Sequence, residues 1–573
     1  MTLLLNNPDP VKIDHKTISF KLIMNFQDCI IALRWIVRSW EKLPAALIAV
    51  IFVIGTVLLL CFHIQASTGV FFNGDCGVKA LQTMQIASGD FRTSLELPAT
   101  QWEKDLWDEG LYPFDAPFAY RVNSRYFVQY PYFFPLLSAP FYLVFGYRGF
   151  YLIPILSTFL MWACLLYAVN RMRCHPLESC LLLLMLIFAS PVTLYSAIFG
   201  EQNLALLLAF GGVVIFLFQP SQIAQETSST MAGFLVGIAS WFRPELCCLG
   251  FAMIISMLIC KILRRTAFHP TRFLASFSLS LLILIFHNLI VFHSPFGVRS
   301  NEIFSGLSIA ERIQVYRLVM YRLWNALLYY FPLAFFPILL AVGSWISRKH
   351  KFSSESIFCS SVIVFYVLTV PILVPNFGGK QWPPRYFLIL APLTALLIGS
   401  IFFQTRQARR IQAGLLAAAL VGVTAWCIRI NTFEGLNYLS NDYTHRAAPP
   451  LDFLMHSSLR HVAVSNQYLS QEFAFATQSK VFFMPRSQWH LWRLCETIFR
   501  RHGDRFMFVC YAFRKPPETV EFLSDKGRLA ARFSLIRHFG DPDRVDKYGC
   551  ILFYTVTLRH QKLAHPASSV LSR

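Results

Sequence analysis

Long uncharged apolar runs decide what this chain can become. Leu43 to Phe62, Ser179 to Phe199 and Ile411 to Ile428 each hold about 18 or more residues without an Asp, Glu, Lys or Arg, enough to cross a hydrocarbon core near 30 Å thick. In hydrocarbon every backbone N–H and C=O must find a partner within the chain, so each run reads as a spanning helix. The rest of the sequence agrees: 55% of its 573 residues are hydrophobic and only 14% charged, where a soluble chain carries about 25% charge. The expectation is an all-α polytopic membrane domain with about eleven transmembrane helices and a small C-terminal α/β soluble domain.

Besides Leu43 to Phe62, spans are expected near residues 150–169, 179–199, 203–218, 231–242, 246–260, 273–293, 323–345, 356–374, 386–403 and 411–430. The first long run begins late and lacks a following small-x-small site, so it is read as a retained anchor. Residues 1–42 form an N-terminal segment. There Phe20 to Trp40 interleaves Leu22, Phe26, Ile30 and Leu33 with Lys21, Arg34 and Arg38, the pattern of an interfacial helix.

The net charge of +20 does not mean nucleic acid, because the basic residues sit in short clusters between apolar runs. These are Arg171 with Arg173, Lys261 with Arg264 and Arg265, Arg348 with Lys349 and Lys351, and Arg406 with Arg409 and Arg410. All four fall on one side if Tyr130 to Gly146, which is aromatic and holds three prolines, enters the membrane without crossing it. That side is then cytoplasmic. The other side receives the loop 65–129, the turn Gly200-Glu201-Gln202, the break Arg243-Pro244-Glu245, the segments after His293 and Val374, and the C-terminal domain 431–573. Residues 43–430 make the membrane domain.

In 431–573, strand-like His461 to Ser465, Lys480 to Met484, Arg505 to Cys510 and Cys550 to Thr557 alternate in part with helix-like Leu469 to Thr477 and Trp489 to His502. No glycine-rich phosphate loop occurs there, so an acceptor-binding or structural domain is expected. Cys495, Cys510 and Cys550 allow one disulfide, with the pairing open. His287 and His293 do not share a helical face and are given no ligand role.

Chemistry gathers on the side away from the basic clusters. Asp75, Lys79 and Gln82 recur at i, i+4 and i+7, on one face of a helix that Gly89 would end. Asp75 can cap that helix or activate a polar group. Glu201 can be an ordinary polar turn or a second acid. Arg243 interrupts a long apolar stretch, where a charge costs about 2.5 to 3.5 kcal/mol on the lenient insertion scale, and so needs a partner, either Glu245 or a lipid phosphate. Arg385 is an interface anchor or an anion ligand.

The order of these motifs resembles the GT-C superfamily of membrane glycosyltransferases, which includes protein O-mannosyltransferases and lipid A aminoarabinose transferases. The resemblance rests on the first-loop Asp75, the stretch Gln129-Tyr130-Pro131-Tyr132-Phe133-Phe134-Pro135, Phe145-Gly146, Gly233-Phe234-Leu235-Val236-Gly237 leading to Arg243-Pro244-Glu245, Ser294-Pro295-Phe296-Gly297, and Gly378-Gly379-Lys380-Gln381-Trp382-Pro383-Pro384-Arg385-Tyr386.

It implies transfer of a sugar from a polyprenyl phosphate donor to a glycolipid, polysaccharide or protein acceptor on the outward face of the bilayer. Asp75 and Glu201 would be catalytic, and Arg243, Arg385, Lys79 and Lys380 would hold the donor phosphate. Cys76 stands where many relatives carry the second acid of an Asp-Glu pair. No cofactor is assigned, and a divalent metal stays open. The alternative function is a lipid or polysaccharide transporter or flippase, which predicts charges in mid-membrane and an internal repeat. No Asn-x-Ser/Thr sequon occurs, which favours a bacterial cytoplasmic membrane over the endoplasmic reticulum.

Overall fold

The computed structural model describes residues 45–561 except 67–68, 73–74, 219–224, 264–268, 299–307, 337–352, 375–380, 406–409, 502–504, 512–518, 524–528 and 540–550. The interfacial helix expected over Phe20 to Trp40, together with Lys380 and Cys550, lies outside the described residues.

Helix α1 (Ala45–Gln65) has the simplest logic. Its 21 residues reach about 32 Å, the thickness of a bilayer core. Ile51, Leu59 and Phe62 are buried, while Val50, Val53, Ile54, Val57 and Leu60 are each more than half exposed. Such a row would be a liability in water and is ordinary against lipid. Among the described residues four helices are long and apolar enough to cross a membrane. They include α1, α10 (Pro270–Phe292) and α12 (Ser354–Leu373). Shorter apolar helices pack beside them: α6 (Pro176–Ile187), α7 (Gln202–Leu217), α9 (Leu246–Ile262) and the start of α13 (Leu390–Thr405).

Helix α2 (Asp75–Ala87) follows α1 and stops before Gly89, which takes φ +92. A short α3 (Gln101–Leu106) comes next in the loop. Tyr130 to Gly146 contains α4 (Phe133–Phe145), which turns at Gly146 through a 3-10 segment into α5 (Leu152–Arg171). Its 13 residues cover about 20 Å, short of a crossing. Leu143, Val144 and Phe145 at its tip are strongly exposed.

Two expected spans are corrected. Residues 179–199 are not one helix: α6 ends at Ile187, Pro191 follows at once, and 194–197 form a 3-10 turn. Proline has no N–H to extend the ladder. The span placed at 323–345 is instead α11 (Ile309–Tyr330), started by a Ser308/Glu311 capping box and stopped before Pro332. Residues 337–345 of that expected span lie outside the described residues.

Helix α8 (Gln225–Phe242) carries Gly233 and Gly237 where it meets α10. A Cβ at Gly233 would lie 2.3 Å from Ser276 Oγ, and one at Gly237 2.5 Å from Ser280 Cβ. Small residues four apart let the two backbones close, as in membrane helix pairs generally. Helix α14 (Arg410–Ile428) passes through an irregular helical run, 429–447, into α15 (Ala448–His456).

The C-terminal region builds a six-stranded mixed sheet in the order β4-β3-β5-β8-β7-β6. Its strands are β3 (His461–Val464), β4 (Val481–Phe483), β5 (Arg505–Tyr511), β6 (Thr519–Leu523), β7 (Leu529–Phe539) and β8 (Ile551–Gln561). Strand β3 runs parallel to β4 and β5, and the others pair antiparallel. Helices α16 (Gln467–Glu472) and α17 (Gln488–Arg501) complete the layer. Strands β6 and β7 were not foreseen, nor was the hairpin β1 (Ala119–Val122) with β2 (Arg125–Val128). Cys495 and Cys510 are both buried free thiols.

This sheet docks on the loop that follows α1. Trp107 Nε1 donates to the Phe482 carbonyl at 3.0 Å, Arg493 pairs with Glu109 at 2.8 Å, and His461 Nε2 meets Glu103 at 2.9 Å. The tightest approach is at Gly77, where a Cβ would lie 2.0 Å from the Gln471 carbonyl oxygen. The helix bearing Asp75 is thereby wedged between the membrane helices and the sheet.

Candidate active site

Four chain breaks converge above the membrane helices. Asp75 opens α2, Glu201 immediately precedes α7, Arg243 follows the end of α8, and Arg385 sits in a 3-10 turn after Pro383 and Pro384. Helix ends are where backbone groups and polar side chains can face a ligand, and prolines interrupt the chain beside both arginines, Pro244 after Arg243 and Pro383 and Pro384 before Arg385. The loop carrying Arg385 is pinned by its neighbour Trp382, whose Nε1 donates to Asn431 at 3.0 Å and whose carbonyl accepts from Tyr195 at 2.5 Å. Asn431 in turn donates to the carbonyls of Ala189, Tyr330 and Cys427.

Asp75 is 7% exposed. Its Oδ1 accepts from the Tyr130 hydroxyl at 2.5 Å, and its Oδ2 accepts from Arg385 at 3.0 Å and Gln381 at 3.3 Å. Burial pushes this carboxyl up, but the charges of Arg385 and Lys79 and the Tyr130 hydrogen bond outweigh it and hold it below the usual aspartate value. The same burial, with Asp75 beside it, drives the Tyr130 phenol well above its ordinary value, so it stays a donor.

Lys79 lies one turn further along α2 and pairs with Glu201 at 2.5 Å, with its ammonium 4.3 Å from the centre of the Tyr130 ring. Glu201 also meets Arg243 at 3.3 Å. Burial raises the Glu201 carboxyl, and Lys79 and Arg243 together bring it below the ordinary glutamate value. Arg243 bonds Glu245 at 2.7 Å through Nε. The need for a partner inside an apolar stretch is thus met twice, by Glu245 and by Glu201. Three carboxylates and three cations balance, as buried charges must.

The sequence reading placed Asp75, Lys79, Glu201, Arg243 and Arg385 at one site, and these five side chains do come together. Lys79 was expected at a donor phosphate; it is 1% exposed and faces Glu201. Gln82 shares the helix face but turns to the Thr93 carbonyl at 3.0 Å. Tyr130, Gln381 and Tyr386 were quoted within motifs without a role. Their part depends on side-chain direction across distant segments, for which a single sequence carries no signal. Among the described residues no three His, Cys, Asp or Glu side chains gather to hold a metal, and Asp75, Glu201 and Glu245 each face a cation.

A small cleft opens beside the cluster, lined by the polar side chains of Gln202, Arg243, Glu245 and Arg385, the aliphatic Leu206, Leu246, Leu388 and Ile389, and the rings of Tyr366 and Tyr386. Arg243 and Arg385 both lie over the Tyr386 ring, at 5.5 and 4.9 Å. Arg385 Nε and Gln202 Oε1 are buried with no hydrogen-bond partner among the described residues.

No family model matches this sequence, and no curated protein does. Solved structures do resemble it. ArnT from Cupriavidus metallidurans in the apo state aligns with a TM-score of 0.50 at 13% identity, covering 91% of this chain and 99% of that one. The same ArnT bound to undecaprenyl phosphate gives 0.49 at 13%, covering 91% and 100%. The Archaeoglobus fulgidus oligosaccharyltransferase in complex with Zn and sulfate gives 0.46 at 11%, covering 81% and 68%. Both of these proteins are GT-C glycosyltransferases.

The fold is the GT-C fold. In that GT-C frame the cluster around Asp75 sits between the membrane helices and the C-terminal sheet, with the aliphatic lining of the cleft formed by residues at the ends of α7, α9 and α13.

Proposed function

We propose that this protein is a membrane glycosyltransferase that moves a sugar from a polyprenyl phosphate donor to an acceptor hydroxyl on the outward face of a bacterial cytoplasmic membrane. The observation that carries this reading is the mixed lining of the cleft. Two guanidinium groups and four aliphatic side chains line it together, which suits an anionic head on a hydrocarbon chain. ArnT, whose apo form shares the fold, has been crystallised with undecaprenyl phosphate.

The chemistry follows from the placement. The acceptor oxygen attacks the anomeric carbon as the carbon–oxygen bond to phosphate breaks. The hydroxyl proton goes to Asp75, and the electron pair leaves with the lipid phosphate, whose growing charge Arg243 and Arg385 stabilise. Glu201 and Glu245 hold Arg243 in position. Lys79, tied to Glu201 and to the Tyr130 ring, fixes the helix that presents Asp75. The acceptor is a hydroxyl of a glycolipid, a polysaccharide or a protein.

A flippase would need charged groups along a path through the membrane, whereas this cluster gathers at one end of the helices. The test is direct. Wild-type protein and Asp75→Asn are compared for transfer from a carrier-linked sugar, alongside lipid and glycan profiles of a deletion strain. Loss of at least about a thousand-fold in rate with normal membrane insertion is expected. Full transfer by Asp75→Asn sinks the assignment, as does a deletion strain with no under-glycosylated acceptor.

A further inference from the structure

A general base needs a free lone pair within reach of the hydroxyl it serves. Asp75 has three of its about four acceptor sites filled: Tyr130 bonds Oδ1, while Gln381 and Arg385 fill Oδ2. An acceptor hydroxyl can bond Oδ2 only after one of the two donors there withdraws.

Their surroundings differ. The Tyr130 hydroxyl is itself held by Gln129 Nε2 at 2.6 Å, and its ring lies under the Lys79 ammonium. Gln381 is tied at its other end, where its Oε1 accepts from Gln202 at 3.3 Å. Of the three, Arg385 alone lines the cleft. Its Nη1 is on Asp75, its Nη2 is on the Tyr386 hydroxyl at 2.9 Å, and its buried Nε has no hydrogen-bond partner among the described residues. A guanidinium presents a fork suited to bidentate capture of phosphate, and here part of that fork stands uncommitted beside the cleft.

We infer that Asp75 and the donor phosphate compete for Arg385, so that Oδ2 of the carboxylate stays masked until a phosphate enters the cleft and draws the guanidinium away. The inference rests on the lipid-phosphate reading given above and adds an order to it. The donor binds first, and the acceptor hydroxyl then takes the place that Arg385 leaves on Oδ2. Arg385 trades one anion for another, and Asp75 keeps Tyr130 and Gln381 but loses its cation, which makes it a stronger base. The acceptor proton passes to the vacated oxygen as the new glycosidic bond forms and the lipid phosphate departs. Before the donor arrives Oδ2 is not free to activate water.

Competition makes a prediction opposite to the usual effect of losing an active-site residue: the variant that abolishes transfer should bind the phosphate more tightly. The probe is undecaprenyl phosphate, titrated calorimetrically into full-length protein in detergent micelles. Four forms are compared, namely wild type, Asp75→Asn, Arg385→Gln and the double variant. If Asp75 holds Arg385 about nine-tenths of the time, freeing it lowers Kd by about ten-fold. In the Arg385→Gln background the same Asp75→Asn change should move Kd by less than about two-fold, since no contested cation remains. Asp75→Ser carries the same expectation and replaces the asparagine variant if that one does not fold.

Wild-type binding that Asp75→Asn leaves unchanged or weakens overturns the inference and leaves the donor reading standing. Tightening that persists undiminished without Arg385 also overturns it, because general removal of a negative charge then suffices. Failure of the wild type to bind undecaprenyl phosphate overturns the donor reading itself, and this inference with it.

Discussion

Two sites of buried ion pairs among the described residues are built differently. In the C-terminal region Arg446 and Glu472 form a two-pronged pair, with bonds of 2.8 and 2.9 Å. Glu472 also accepts from the Tyr511 hydroxyl at 3.1 Å, and its carbonyl accepts from Phe71 N at 3.2 Å. At the Asp75 cluster the charges balance too, yet Arg385 Nε and Gln202 Oε1 are left over, and a cleft adjoins them. A buried charge with every bond made has nothing to gain from a ligand. One with a bond unmade stands ready to exchange partners. The first arrangement holds the chain together, and the second is arranged to rearrange.

That contrast can be broken by mutation. Arg446→Met should cost about 3 to 5 kcal/mol, because it leaves Glu472 buried without its cation. Thermal unfolding in detergent measures this, and transfer per folded molecule should stay near wild type. A variant as stable as the parent would show that the pair holds nothing.

Gly77→Ala presses a methyl group into the Gln471 backbone, and overpacking of this kind costs about 1 to 3 kcal/mol. Proteolysis of the loop 65–129 should speed up in this variant; unchanged protection would mean the docking is looser than the distances imply. Arg385→Lys keeps the charge and loses the fork. It should lower kcat/KM by about ten-fold, around 1.4 kcal/mol, with little change in unfolding temperature. An equal loss of stability would make Arg385 a holding residue after all.

Acid gives the mildest test. Asp75 and Glu201 are both held below their ordinary values of 3.8 and 4.5. Their stabilisation is therefore complete above those values and is lost as pH falls through the lower folded pKa values. Stability near neutrality should be insensitive to these two groups and should fall only in strong acid. A decline already present between pH 5 and 7 that vanished in Asp75→Asn would contradict the assigned direction.

Much of this was legible before any coordinates. An arginine such as Arg243 in an apolar stretch costs free energy unless paired, so a partner nearby was a physical necessity, and Glu201 and Glu245 both supply it. Where basic clusters interrupt the apolar runs suggested that Asp75, Glu201, Arg243 and Arg385 could meet, and their side chains do come together. Which cation faces which carboxylate was not legible: Lys79 and Arg385 carry the same charge, and only the tertiary placement of α2 beside the turn at Glu201 sends the first to Glu201 while the second takes Asp75.

Hydropathy also misplaced two spans. It averages over windows and passes across Pro191 and Pro332, although each proline ends a regular ladder. The strands β6 and β7 were missed because they are stabilised by one another and by β8, and these pairings join distant parts of the chain.

The close seat of Gly77 against Gln471 has a consequence for how the protein is made. Domains form from the N-terminus during synthesis, so α1 and α2 are among the earliest helices to exist. Yet the surface that α2 rests on contains residue 471, which is made only after all the intervening helices. Asp75 therefore waits, already synthesised, for the end of its own chain. A truncated or stalled product would carry most of the site's side chains and still lack the wall that seats their first helix, so that competence arrives only with nearly complete translation.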